Sequence, residues 1–166
     1  VQTCALPISI EQTASFSLDD ISVTVNTTPA GRSFTVDGTT YTTQQIFSWQ
    51  PGSNHTIATT SPQNGTTGTR YVWSNWSDGG NISHTVTPTV NTTYTANFDT
   101  EYYLTMTAGT GGTVTPSSGW RGDGESVQIE AFPDAGYSFA GWTGTGSGSY
   151  TGNNNPATVT MNGPIE

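Results

Sequence analysis

Four stretches of this 166-residue chain alternate apolar and polar side chains with a period of two. Ile21, Val23 and Val25 alternate with Ser22 and Thr24; Tyr102, Leu104 and Met106 with Tyr103 and Thr105. Val127, Ile129 and Ala131 alternate with Gln128 and Glu130; Ala157, Val159 and Met161 with Thr158 and Thr160. In an extended strand successive side chains point to opposite faces, so each stretch has one apolar face and one polar face. That is the pattern of antiparallel sheets that bury one side and wet the other. Turn dipeptides punctuate the runs: Asp37-Gly38, Pro51-Gly52, Asn64-Gly65, Asp123-Gly124 and Asn162-Gly163. No segment carries a helical period of useful length. The expected fold is all-β.

A chain with only 9% charged residues needs another source of order, and five Trp, seven Tyr and six Phe supply it. Thr makes up about one residue in five, and β-branched and aromatic residues both suit a pleated, half-buried surface. The net charge is -9, with three Arg (Arg32, Arg70, Arg121) and no Lys. Nucleic acid and anionic membrane surfaces are therefore poor partners. Without Lys there is no Schiff-base or P-loop chemistry, and no Lys-to-Asn isopeptide crosslink. No run of about 18 apolar residues is present to span a membrane, and the first residues do not read as a signal peptide.

The chain repeats itself. Thr13-Ala14-Ser15-Phe16, an acidic spacer and the Ile21–Val25 strand are answered by Thr95-Ala96-Asn97-Phe98, Asp99-Thr100-Glu101 and the Tyr102–Met106 strand, a period of about 81–82 residues. Tyr71-Val72-Trp73-Ser74-Asn75-Trp76 is answered by Tyr137-Ser138-Phe139-Ala140-Gly141-Trp142. The expected organisation is two small antiparallel β modules in tandem, end to end. Residues 9–18 read as the closing strand of a preceding repeat, 19–99 as a complete repeat, and 101–166 as a repeat without its Thr-Ala-x-Phe closing strand. Residues 1–8, Val-Gln-Thr-Cys-Ala-Leu-Pro-Ile, match codon for codon the translation of a short-read sequencing adapter, GTT CAG ACG TGT GCT CTT CCG ATC. They read as an artefact that includes Cys4, the only cysteine. Disulfides and Cys-based metal sites are then unavailable.

Gly112-Thr113-Val114-Thr115-Pro116, Gly124-Glu125-Ser126-Val127-Gln128-Ile129 and Gly136-Tyr137-Ser138-Phe139-Ala140-Gly141-Trp142 together resemble the divergent internalin-B B-repeat family of bacterial surface proteins. The resemblance covers nearly all of 101–166. It is looser over 19–99, where a Val36-Asp37-Gly38 hairpin and Trp49-Gln50-Pro51-Gly52-Ser53-Asn54-His55-Thr56-Ile57 replace the first half of the motif. It implies a β-rich extracellular or cell-surface module, a spacer or adhesive stalk within a longer chain, with no catalytic residues to carry over. The expected partner is a cell-surface glycan or protein, and the module is expected to be monomeric within its longer chain.

The remaining candidates for chemistry are few. Trp73, Trp76, Trp120 and Trp142 offer faces for a sugar ring. Trp76 and Trp142 stand at equivalent repeat positions and read as packing residues. Trp120, in the turn Ser117–Arg121, is the candidate ligand contact. His55 and His84 are far apart in sequence, too few for a metal site, and read as packed or exposed strand residues. Asp19-Asp20 and Asp123-Gly124-Glu125 read as turn carboxylates, not an acid/base couple. Asp78-Gly79-Gly80 and Asp99–Glu101 are where calcium would bind, although no EF-hand spacing is present; no cofactor is expected. Arg121-Gly122-Asp123 is a three-letter match of the kind composition supplies. Ser147, in Gly144–Gly148, has no helix signal after it and is no nucleophile elbow. The expected function is non-catalytic, with a glycan- or protein-binding module of a secreted enzyme as the alternative.

Overall fold

A computed structural model describes residues 18–166. Apart from Leu18, the 1–8 segment and the closing strand expected at 9–18 lie outside the described residues. Among the described residues the regular structure is entirely β, as the alternation requires. The strands are β1 (Ile21–Thr28), β2 (Phe34–Val36), β3 (Thr39–Tyr41), β4 (Gln45–Trp49), β5 (His55–Thr59), β6 (Gln63–Asn64), β7 (Thr69–Trp76), β8 (Ser83–Val86), β9 (Thr92–Leu104), β10 (Gly112–Thr115), β11 (Gly119–Gly122), β12 (Ser126–Pro133) and β13 (Ala157–Thr160). Among the described residues no helix is long and apolar enough to cross a membrane.

Three sheets result. One runs β4-β1-β9-β7-β6, with β11 also on β9; a second runs β3-β2-β5-β8; the third runs β10-β12-β13. Nearly all pairs are antiparallel. The exception is β1 with β9, which run parallel in the register Val23↔Thr92 through Thr28↔Asn97. Parallel neighbours need a long crossover, and here the crossover is everything from Pro29 to Asn91. The chain thus enters and leaves this half pointing the same way.

The 13-residue β9 is the structural axis. Its first part pairs with β1 and its last part, Glu101–Leu104, with β11. β7 pairs across both, from Trp76↔Ala96 to Thr69↔Tyr102, with a bulge between Trp73 and Asn75. Two cores flank this strand. One gathers Val23, Val25, Phe34, Ile57, Trp76 and Ala96; the other gathers Leu104, Val127, Ile129, Val159, Met161 and Ile165. Burying each large apolar side chain contributes about 1.5–3 kcal/mol. The four ion pairs among the described residues are partly exposed and worth about 0–1 kcal/mol each. Apolar burial, not charge, holds the fold.

The two halves match more closely in space than in sequence. β4 pairs with β1 as β11 pairs with the end of β9. The turns that follow have the same hydrogen bonds, Ser53 N–H to the Gln50 carbonyl and Glu125 N–H to the Gly122 carbonyl. Each carries a glycine at positive φ, Gly52 at 81° and Gly124 at 75°. β5 then pairs with β8 as β12 pairs with β13. The His55 position, opposite Val86, corresponds to Val127 opposite Val159. The segment that departs most from the motif in sequence therefore takes the same place in the fold.

Candidate functional site

The most chemically suggestive cluster comes from the tight hairpin between β2 and β3. Val36 pairs with Thr39, leaving Asp37-Gly38 as a two-residue loop. Both residues have positive φ, 48° and 79°, the backbone that a twisted hairpin demands and that Asp-Gly supplies. The turn holds Asp37 beside the start of β5. Asp37 Oδ1 accepts from Thr56 N–H at 2.8 Å, and Oδ2 lies 2.7 Å from His55 Nδ1. His55 Nε2 lies 2.9 Å from Ser53 Oγ. Serine, histidine and aspartate are thus in series with the spacing of a nucleophilic triad.

The surroundings give this cluster a different role. Ser53 Oγ is also 2.7 Å from the Gln50 carbonyl, so the backbone competes with the imidazole for the single hydroxyl proton. A nucleophilic serine needs its proton on the base. The His55 ring is stacked flat on Trp49, centroids 3.7 Å apart at 8°. The grooves of several hundred Å³ lie away from this cluster, one along 107–143 and one where Thr67 and Gly68 meet Trp120 and Ile165. The arrangement ties the Pro51-Gly52 turn to the Asp37-Gly38 turn. Burial pulls the Asp37 carboxyl upward, but the hydrogen bonds from His55 and Thr56 and attraction to His55 outweigh it, leaving Asp37 below its ordinary value.

His84 repeats the theme. Its Nε2 lies 2.9 Å from Asp78 Oδ2, its Nδ1 2.6 Å from the Asn81 carbonyl, and its ring meets the edge of Trp76. Asp78 is likewise held low: burial raises it, but His84 and the Gly80 N–H, with smaller help, lower it further. Both histidines are therefore paired to aspartates, where sequence spacing alone had them merely packed or exposed. The Asp-Gly signal marked the turns, but only strand pairing brings Asp37 to His55.

Two of the three carboxylates named for calcium, Asp78 and Glu101, have protein partners. Asp78 is engaged as above, and Glu101 Oε2 accepts from Arg70 Nε at 2.6 Å. Among the described residues no three His, Cys, Asp or Glu side chains gather as a metal site. Asp20 accepts from Ser48 and Gln50. Glu125 accepts from the Gly122 N–H at 2.9 Å. Asp19-Asp20 and Asp123–Glu125 do not form one facing pair.

Trp120 stands on β11 opposite Tyr103, half-buried, with its ring edge-on to Tyr103 at 5.2 Å and the Arg70 guanidinium 4.5 Å above it. It bridges residues on both sides of the joint. Trp49 and Trp76 are buried, and Trp73, Trp120 and Trp142 are partly so. Among the described residues the exposed aromatics are Phe132 and Tyr137. Phe132 lines a groove of about 360 Å³ between Thr107–Val114 and Ser138–Thr143. A smaller cavity of about 70 Å³ continues past Trp142 to Ile165. The buried indole N–H of Trp142 has no hydrogen-bond partner. None of the side chains lining the groove is charged.

Residues 102–166 match the family model described as the divergent InlB B-repeat domain, over the stretch where Gly112–Trp142 carries the resemblance. Comparison with curated proteins and with solved structures returned no match.

Proposed function

We propose that this chain is a non-catalytic spacer segment of a bacterial surface or secreted protein, built from B-repeat units that succeed one another at about residue 100. The observation that carries this reading is β9. A single strand closes one core with Tyr94, Ala96 and Phe98 and opens the next with Leu104. A flexible linker between units lets them swing. A strand hydrogen-bonded to β7 across the joint does not, because bending there breaks ladder bonds. Arg70 stiffens the same place from the side, since it pairs with Glu101 and covers Trp120. A rigid joint is what a stalk needs and what a ligand-binding module has no reason to keep.

The distribution of tryptophan supports the same reading. A glycan platform needs exposed aromatic faces, and none of the five Trp is exposed. Trp120, the one candidate for ligand contact, serves the joint. The B-repeat match over 102–166 supports placement at a bacterial surface.

Small-angle scattering tests the proposal. The native chain is expected to fit a single fixed arrangement of its two cores. A Gly-Ser-Gly-Ser insertion between Asp99 and Thr100 is expected to broaden the distance distribution. A native profile that requires an ensemble of inter-core angles would overturn it.

A further inference from the structure

The first and last strands of the N-terminal half are neighbours, and they run parallel over six residue pairs, Val23↔Thr92 through Thr28↔Asn97. Parallel pairing fixes where the chain comes in and where it goes out. It enters β1 at Ile21, beyond the Val23↔Thr92 end of the ladder, and leaves along β9 past Asn97, at the opposite end. Tension along the chain therefore pulls β1 one way and β9 the other, along their common axis. The ladder hydrogen bonds then carry load together, and the strands separate only by sliding past each other. Had the two strands been antiparallel, entry and exit would lie at one end, and tension would open the pair bond by bond. One backbone hydrogen bond contributes only about 0.5–1.5 kcal/mol net, so resistance depends on whether the bonds break singly or together.

The rest of this half holds the same two strands. β4 pairs with the other side of β1, from Ile21↔Trp49 to Val25↔Gln45, so drawing β1 out shears two ladders. Val23 and Val25 have no exposure and leave their core in the same motion. β7 anchors the far side of β9, from Trp76↔Ala96 to Thr69↔Tyr102. The crossover from Pro29 to Asn91 lies between the paired strands and off the line of force.

We propose that the N-terminal half is a mechanical clamp, loaded in shear by tension along the chain, which keeps its length until β1 is drawn from between β4 and β9. Its use under tension rests on the spacer reading above, since a stalk transmits whatever pull its far end meets. The clamp itself is set by β1, β4, β7 and β9, whatever precedes or follows them.

Forced unfolding is governed by the unfolding barrier and not by equilibrium stability, so the direction of pull is the variable that tests the clamp. The measurement is optical-tweezers unfolding of the 166-residue chain, with DNA handles coupled through an azide-bearing amino acid at two exposed positions. Asp19 and Val90 flank one end of the ladder and Asp99 stands beyond the other; all three are exposed. Handles at 19 and 99 shear the ladder, and handles at 19 and 90 peel it. Both chains replace only exposed side chains, so the direction of pull is what differs between them. At one loading rate, the 19–99 chain is expected to rupture at several-fold higher force. It should do so in a single step that gains about 3.3–3.6 Å per released residue. Equal rupture forces in the two geometries would contradict the clamp, as would stepwise lengthening of the crossover before the main rupture. Scattering without force reads the rigid joint, so the clamp and the spacer reading fail separately.

Discussion

At the scale of single residues, the chain spends its only two histidines in one way, each between an aspartate and a tryptophan. Asp37 and Asp78 are both held below the ordinary carboxylate value. A lowered folded value means that the unfolded chain binds more protons. The stabilisation is therefore complete above the unfolded carboxylate value, about 3.9, and is lost as pH falls through the folded one. Urea unfolding at about pH 6 and about pH 3 is expected to show this loss in the native chain and a smaller loss in the D37N/D78N double variant. Equal losses in the two proteins would show that these pairs contribute nothing to acid sensitivity. None of this was legible from the histidines themselves. Asp37 and His55 stand 18 positions apart, and only the β2–β5 register, with Val36 opposite Ile57, brings them together. The turn chemistry was legible, because Asp-Gly names a backbone conformation that few other pairs adopt.

At the scale of elements, alternation told which residues face inward and said nothing of which strand lies alongside. The inward sets Val23 and Val25, Val127 and Ile129, and Val159 and Met161 are all buried as the period of two requires. The parallel pairing of β1 with β9 was not legible, since a period of two is the same for either direction. The match between the two Gly turns was hidden for a different reason. Trp49-Gln50-Pro51-Gly52 and Arg121-Gly122-Asp123-Gly124 share only the glycine, and what the fold conserves there is a backbone angle. That equivalence makes a prediction. Gly52→Ala and Gly124→Ala place a Cβ in open space but in a left-handed backbone, so each is expected to destabilise by about 1–2 kcal/mol. Gly109→Ala, also in open space but without positive φ, is expected to have no measurable cost. Denaturant midpoints for the three variants check this; a silent Gly124→Ala beside a costly Gly52→Ala would break the equivalence.

At the scale of the whole molecule, two cores of modest size share one strand. Small cores are marginal by themselves, because a short chain buries too little of its surface. Sharing β9 couples them: its Ala96 packs in one core and its Leu104 in the other, eight residues along the same backbone. The acidic stretch Asp99-Thr100-Glu101 reads in sequence as a spacer between strands. In the fold it is strand, because Asp99 pairs with Val72, Thr100 with Tyr71 and Glu101 with Arg70. The polar composition was legible; its being held in a ladder was not, since that depends on β7 reaching across the joint. Native-state hydrogen exchange on the amides of Phe98–Tyr103 tests this most directly. Protection there is expected to equal that of β1 and β12 and to be lost only on global unfolding. Rapid exchange of those amides beside protected cores would mean that the joint is a linker, and the rigid spacer would be contradicted.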